Sequence, residues 1–89
     1  MAYKHTRESV YKLIDGERAY QEEMWDNMDV HANELSVGDF ILLVEEYAAR
    51  ARKEWSGHKY PEQPALEHMR KIAGIAVRCM ETHGAPPRA

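Results

Sequence analysis

The sequence has 89 residues, of which 44% are hydrophobic and 30% charged, and its formal net charge is −3. A chain of this length and balance is predicted to form one small soluble domain, 1–89, with a single core. The acidic balance argues against nucleic-acid binding, and the lack of an apolar run of ~20 residues excludes a membrane-spanning helix.

The N-terminus and the cysteine content indicate the cellular location. The first ten residues, "MAYKHTRESV", contain no apolar segment of the kind that signal peptides carry. Cys79 is the single cysteine, so the chain cannot form an internal disulfide. We therefore expect a cytoplasmic protein.

Helical periodicity predicts the first helix over about 6–28. Apolar side chains recur there at spacings of three and four residues. The members of this stripe are Val10, Leu13, Ile14, Tyr20, Met24 and Met28. Glu17 is the polar interruption of the stripe.

The second helix is predicted over about 37–56. Ser36 and Asp39 have the spacing of a capping box, in which the serine side chain accepts a hydrogen bond from a first-turn amide. The apolar stripe of this helix consists of Phe40, Leu43, Val44, Tyr47, Ala48, Ala51 and Trp55.

The third helix is predicted over about 64–83, with Pro64 at the first helical position, where a missing N–H costs nothing. Its apolar stripe consists of Leu66, Met69, Ile72, Ala73, Ala76, Val77 and Met80. Gly84 favours termination of the helix, and the prolines that follow prevent its continuation. A C-terminal tail, 84–89, remains.

These three segments predict an all-α fold, with one three-helix antiparallel bundle in each chain. No stretch of the sequence shows the alternation that is typical of β-strands. Because a single domain of this size is often only marginally stable, we expect a homo-oligomer to complete the bundle.

Two adjacent carboxylates, Glu45 and Glu46, lie in the second helix. Adjacent glutamates often hold a metal ion, but Glu46 and Arg50 also have the four-residue spacing of an ordinary surface ion pair. A second acidic cluster has the same two interpretations and consists of Glu22, Glu23 and Asp26.

Aromatic and basic side chains are candidates for binding a flat, anionic ligand. Tyr20 and Trp25, next to Gln21, could stack on a base, although aromatic residues at helical spacing more often belong to the core. Arg70 and Lys71 could hold a phosphate, although basic residues on a helix often serve solubility alone. The five histidines show no metal-binding spacing, so no zinc site is expected.

Three blocks of the sequence, "ERAYQEEMW", "DFILLVEEYAARA" and "ALEHMRKIAGIAVRCME", resemble successive blocks of phage-type MazG-like proteins. These proteins belong to the all-α nucleoside triphosphate pyrophosphohydrolase superfamily, and the resemblance extends over about 17–83. It implies magnesium-dependent cleavage of a nucleoside triphosphate to monophosphate and pyrophosphate. It also implies a homo-oligomer with sites between helices, located in the host cytoplasm if a phage encodes the chain.

The resemblance implies a Mg²⁺ ion held by an EExxE motif on one helix and an EExxD motif on the next. The first motif falls on Glu45 and Glu46, but Ala49 replaces its last acid. In the second motif Glu67 matches, whereas Lys71 replaces the aspartate. If the chain is active, the metal ligands implied are Glu45, Glu46 and Glu67. A lysine at this place would repel the ion, because magnesium sites are built from carboxylates.

Our hypothesis is that Lys71 replaces the ion electrostatically by pairing with Glu45 or Glu46. The chain would then bind a nucleotide or cyclic nucleotide without a cofactor and without hydrolysis, and sequestration of a host signalling nucleotide is one form of this function. The candidate ligand-binding residues are Tyr20, Gln21, Trp25, Glu45, Glu46, Arg70 and Lys71.

Two alternatives remain open at this point. The first is a magnesium-dependent pyrophosphohydrolase whose metal ligands have moved to other acids, for example Glu22, Glu23 or Asp26. The second is a protein–protein interaction module that uses the bundle as a scaffold, with Trp25 and Trp55 as anchors.

Overall fold

The computed structural model describes residues 4–88, and within that range it is helical with no β-strand, so the all-α prediction is confirmed. The helices are α1 (Arg7–Asn27), α2 (Val37–Gly57) and α3 (Glu62–His83), and a 3₁₀ turn, Ala32–Glu34, precedes α2. Residues 1–3 of the predicted domain and residue 89 of the predicted tail lie outside the described range.

Local side-chain chemistry determines where the helices begin and end. The Ser36 hydroxyl accepts from the Asp39 amide at 3.1 Å and the Asp39 carboxylate accepts from the Ser36 amide at 2.8 Å, which confirms the predicted capping box. Gly84 follows α3 with φ 96°, a conformation that favours glycine, and confirms the predicted stop.

The predicted start of α3 is wrong by two residues. The helix begins at Glu62, which places Pro64 at the third helical position instead of the first. The first four N–H groups of a helix have no acceptor within it, so proline is tolerated at the third position as well.

The capping box makes the stability of the chain sensitive to acid. Hydrogen bonds from the Ser36 backbone and hydroxyl lower the pKa of Asp39 below its ordinary value of 3.8. The stabilisation by the capping box is therefore complete above pH 3.8, and it is lost as the pH falls through the lower pKa that Asp39 has in the folded state. Urea unfolding of the wild type and Asp39→Asn should give a free-energy difference that shrinks below that pH. A difference that stays constant down to the acid limit would contradict this linkage.

Helix α3 lies between the other two helices. It runs antiparallel to α2, since Phe40 near the start of α2 meets His83 at the end of α3. It runs parallel to α1, since Glu17 pairs with Arg70 and Trp25 contacts Arg78. The chain therefore runs up, down and up, which is the direction pattern of an antiparallel bundle.

The bundle is open on the side where α1 and α2 face each other. Within residues 4–88, no Cα atoms of these two helices lie within 8 Å of each other. Their side chains meet at one end, where the rings of Trp25 and Phe40 stack with centroids 6.2 Å apart. Between that end and the middle of α3 a groove remains.

Two large side chains form the fully buried core, namely Phe40 and Ile75, which are 1% and 2% exposed. Most of the apolar stripe predicted for α1 is exposed, and the exposed members are Val10, Leu13, Tyr20, Met24 and Met28. The apolar stripe is thus not the buried face of α1, because α1 turns a neighbouring, mostly polar row of side chains toward α3.

That polar row has a spacing of four residues on both helices. Glu17 pairs with Arg70, Gln21 lies on Gly74, and Trp25 lies beside Arg78. Matching rows at four-residue spacing are the usual way in which the ridges of one helix fit the grooves of another. Polar side chains consequently occupy the buried α1–α3 interface.

Gly74 permits the close approach of α1 and α3. A Cβ atom at this position would lie 2.9 Å from both the nitrogen and the oxygen of the Gln21 amide, which is itself buried. We expect Gly74→Ala to lower the free energy of urea unfolding by about 1–3 kcal/mol because of overpacking.

Gly16→Ala is the matched control, since a Cβ atom there meets nothing within 4 Å. Gly16 lies inside α1, where alanine is favoured over glycine by up to about 1 kcal/mol. The control should therefore be neutral or stabilising. Equal stability of the two variants would show that the Gln21–Gly74 contact does not set the helix separation.

Candidate groove between the outer helices

The groove between α1 and α2 encloses about 650 Å³, a volume within the ~300–1,000 Å³ range of small-molecule sites. Its walls are largely apolar and consist of Met24, Met28, Val30, Leu35, Leu42 and Leu43, with Ile75 on the floor. Trp25 lines the groove near the Trp25–Phe40 stack, and polar side chains line it toward the middle of α3.

The carboxylate of Glu17 is neutralised by its neighbours. Its side chain is 4% exposed, and its two oxygens accept from Arg70 Nε at 2.8 Å and from Gln21 Nε2 at 3.0 Å. Gln21 also donates to the Lys71 carbonyl at 3.0 Å, whereas its Oε1 is buried with no partner among the described residues. This part of the groove therefore carries little net negative charge.

Lys71 supplies the uncompensated cation of the groove. It is half-buried, and its Nζ lies 5.8 Å from the ring centroid of Tyr47, with no carboxylate within 4.0 Å among residues 4–88. Asp39, the other acid of the groove, lies two helical turns from Tyr47, roughly 12 Å along α2. The end of the groove at Lys71 is therefore electrostatically positive.

The ion pair that we expected between Lys71 and Glu45 or Glu46 is not present. Glu46 pairs instead with Arg50 at 3.2 Å, which is the ordinary surface pair that the spacing also indicated. Lys71 lies against the face of α2 that carries Tyr47, whereas both glutamates are exposed. The reason is the helix period, because successive residues of a helix point about 100° apart.

The aromatic candidates differ in their surroundings. Trp25 is half-buried, with the Arg78 guanidinium 4.5 Å from its ring centroid and Phe40 stacked nearby, so much of its surface is in contact with the protein. Tyr20 is 57% exposed and lines the groove, which leaves its ring available to stack on a ligand.

The structure brings together four of the seven residues predicted as ligand-binding. Tyr20, Gln21, Trp25 and Lys71 line the groove, whereas Glu45, Glu46 and Arg70 do not. Arg70 instead neutralises the buried Glu17.

The acids proposed as metal ligands do not form a cluster. Within the described residues, no three histidine, cysteine, aspartate or glutamate side chains come together in a way that could hold a metal ion. Neither Glu45, Glu46 and Glu67 nor the group Glu22, Glu23 and Asp26 therefore fits a magnesium ion. Glu22 instead lies 3.7 Å from Arg18.

Several residues of the groove were not among the predicted site residues. Tyr47 was assigned only to the apolar stripe of α2, and Glu17 only to an interruption of the stripe of α1. Both residues reach the groove because of the way the helices pair. The spacing of residues within one helix gives no information about that pairing. The polar position of Glu17 inside an apolar stripe was the one hint that a buried partner existed.

Comparisons with protein families, with curated proteins and with solved structures found no match to this chain. None of the helices described over residues 4–88 has the length and apolar character that crossing a membrane requires.

Proposed function

We propose that the chain binds a nucleotide or a cyclic nucleotide in the groove between α1 and α2 and holds it without hydrolysis. The single observation that supports this most strongly is the half-buried Lys71, which lies in a largely apolar groove and has no carboxylate partner in the described part of the chain. A lysine ammonium in such a place attracts a phosphate as a point charge.

The remaining lining suits the other parts of a nucleotide. The exposed ring of Tyr20 offers a stacking surface for a base, and the leucine and methionine side chains offer apolar contact. Tyr47 also lines the groove, and its hydroxyl is a polar group that can donate to a base or accept from it. Specific recognition of a base requires a few polar groups of this kind within an otherwise apolar site.

The absence of hydrolysis is proposed from the residues themselves. In the MazG-like resemblance, acids stand where this chain has Ala49 and Lys71. The remaining acids, Glu45, Glu46 and Glu67, do not converge with one another. A phage protein that sequesters a host signalling nucleotide would need this combination of affinity without turnover.

We further propose that the functional form is a homo-oligomer in which a second copy covers part of the exposed apolar surface. The accessible area of the chain is 7382 Å² at a mass of 10.3 kDa, whereas a folded monomer of that mass exposes only about 5,400 Å². The excess, roughly 2,000 Å², is more than the ~800 Å² that each partner contributes to a stable interface. Sedimentation should therefore give a mass of at least two chains, and a monomer at high concentration would overturn this proposal.

A thermal-shift panel with recovery of the ligand tests the proposed function. The protein is heated with nucleoside triphosphates and with cyclic dinucleotides, each with and without magnesium, and every nucleotide is then analysed by chromatography. We expect one class to raise the melting temperature without magnesium and to be recovered intact. Magnesium-dependent release of pyrophosphate would instead support the pyrophosphohydrolase alternative. No shift with any nucleotide would favour the protein–protein interaction module.

A further inference from the structure

A second cavity lies on the other side of Trp25, between the end of α1, the 3₁₀ turn and the end of α3. Its volume is about 380 Å³, and its polar lining includes Arg18, Asp26, Asn33, Arg78 and Glu81. Trp25 separates this cavity from the groove, because its ring lines the groove and also contacts the Arg78 guanidinium.

Arg78 is a buried cation with unsatisfied donors. The residue is 6% exposed, and both its Nε and its Nη1 are buried with no hydrogen-bond partner among the described residues. Burial, together with the nearby charge of Arg18, lowers the pKa of Arg78. The nearby carboxylates of Glu22, Asp26 and Glu81 act in the opposite direction but do not cancel this shift. The Trp25 ring contacts this guanidinium in a cation–π interaction, but Nε and Nη1 have no acceptor within the described residues, and a buried donor without an acceptor is costly.

Arg18 adds a second guanidinium to the same cavity. Its side chain is 13% exposed, and its Nε and Nη2 donate to the Glu81 carboxylate at 2.5 Å and 3.1 Å. Its Nη1 makes no hydrogen bond within residues 4–88 but lies 3.7 Å from the Glu22 carboxylate. Arg18 is thus shared between Glu81 and Glu22, while Nε and Nη1 of Arg78 have no acceptor in the described part of the chain.

We propose that this cavity binds inorganic hydrogen phosphate, held by Arg78 with help from Arg18. Guanidinium groups match the geometry of a tetrahedral oxyanion. Because Nε and Nη1 of Arg78 are buried, the side chain would turn these donors toward the cavity, where the oxygens of the oxyanion supply the missing acceptors. Asp26, an exposed carboxylate that lines the cavity, selects an oxyanion that retains a proton, because the P–OH group can donate to it. Sulfate and the dianion of a phosphomonoester offer no such proton, so they bind more weakly.

The test uses the fluorescence of Trp25, whose ring lies against Arg78. In a Trp55→Phe background Trp25 is the single tryptophan, and Trp55 is exposed and does not line the cavity. Sodium phosphate is titrated at neutral pH against sodium chloride of equal ionic strength, with sodium sulfate and phosphoserine as further arms. We expect a saturable change with phosphate, and binding by sulfate and phosphoserine that is weaker by about tenfold or more.

Arg78→Met removes the charge at similar side-chain volume, and Arg52→Met, on the exposed part of α2, is the matched control. We expect Arg78→Met to remain folded, because an apolar replacement of a buried charge is often neutral or stabilising, and to lose the phosphate response. Arg52→Met should retain the response. A response that survives Arg78→Met, or equal binding of sulfate and phosphate, would overturn the proposal.

If Arg78→Met does not fold, Asp26→Asn is the second variant that tests the same site, because Asp26 is exposed and lines the cavity. This variant should reduce the preference of phosphate over sulfate, and an unchanged preference would also overturn the proposal. Inorganic phosphate contains no base that could stack in the groove between α1 and α2. Failure of phosphate binding in the second cavity is therefore distinguishable from failure of nucleotide binding in that groove.

Discussion

Replacing Phe40 by alanine should remove about 3–4 kcal/mol from the free energy of unfolding, because the whole ring is buried and a cavity would remain. Phe40 is 1% exposed and contacts Trp25 on α1 and His83 on α3. It is therefore the residue through which all three helices meet. A domain of this size has a total stability of only about 4–13 kcal/mol, so the loss is a large fraction of it.

The measurement is urea unfolding at a fixed protein concentration, since self-association would otherwise shift the transition. Tyr60→Ala is the matched control, because Tyr60 is 73% exposed and its loss should cost no more than about 0.5 kcal/mol. Phe40→Leu should fall between the two. A cost below about 1 kcal/mol for Phe40→Ala would mean that the three helices are held together at some other place.

The second large effect is expected at Arg70. Substitution by methionine leaves the Glu17 carboxylate, whose side chain is 4% exposed, with Gln21 as its one remaining donor. Removal of one partner from a buried ion pair costs about 3–5 kcal/mol. Because Arg70 is itself 44% exposed, water can partly replace it, and we expect a loss of about 2–3 kcal/mol.

Arg50→Met makes the same chemical change at an exposed ion pair. Arg50 lies 3.2 Å from Glu46, and the two side chains are 54% and 59% exposed. Such a pair contributes about 0.3–0.5 kcal/mol. The cation–π contact of Arg50 with the Tyr47 ring, 4.8 Å from its centroid, adds about 0.5 kcal/mol, so the loss should stay at about 1 kcal/mol or less and below that at Arg70. Equal losses in urea unfolding would indicate that burial of Glu17 does not determine the strength of its pairing.

The helices and their ends were largely predictable because the relevant chemistry is local. Ser36 and Asp39 are three residues apart, and the geometry of a first helical turn alone brings them together. Gly84 likewise ends α3 through its own backbone freedom. Pro64 misled the prediction because its tolerance extends over the whole first turn and does not identify one position.

The burial pattern was not predictable in the same way. Glu17 was recognised as a polar residue inside an apolar stripe, but nothing in its own helix indicates Arg70 as its partner. Gln21 and Arg78 are buried because α1 and α3 pair along rows of residues spaced four apart. That pairing depends on Gly74 of α3, which the sequence of α1 does not indicate.

In the candidate site, too, local features were predictable and tertiary contacts were not. Tyr20, Gln21 and Trp25 are neighbours on one helix, so their common location could be predicted. Lys71 joins them because Gln21 donates to its carbonyl, a tertiary contact. Glu45 and Glu46 were suggested by a resemblance to a metal-binding motif, which concerns an ion and not the lining of a groove. Both glutamates are exposed and do not line the groove.

The proposed retention of a nucleotide by Lys71 is tested most directly by equilibrium dialysis without magnesium, using the nucleotide of the panel that gives the largest thermal shift. Wild type is compared with Lys71→Gln and with Lys53→Gln, a change of an exposed lysine on α2 outside the groove. We predict that Lys71→Gln weakens binding by about 10–100-fold, as expected for loss of a charged hydrogen bond, and that Lys53→Gln has no effect. Wild-type affinity in Lys71→Gln would contradict the proposed role of the groove.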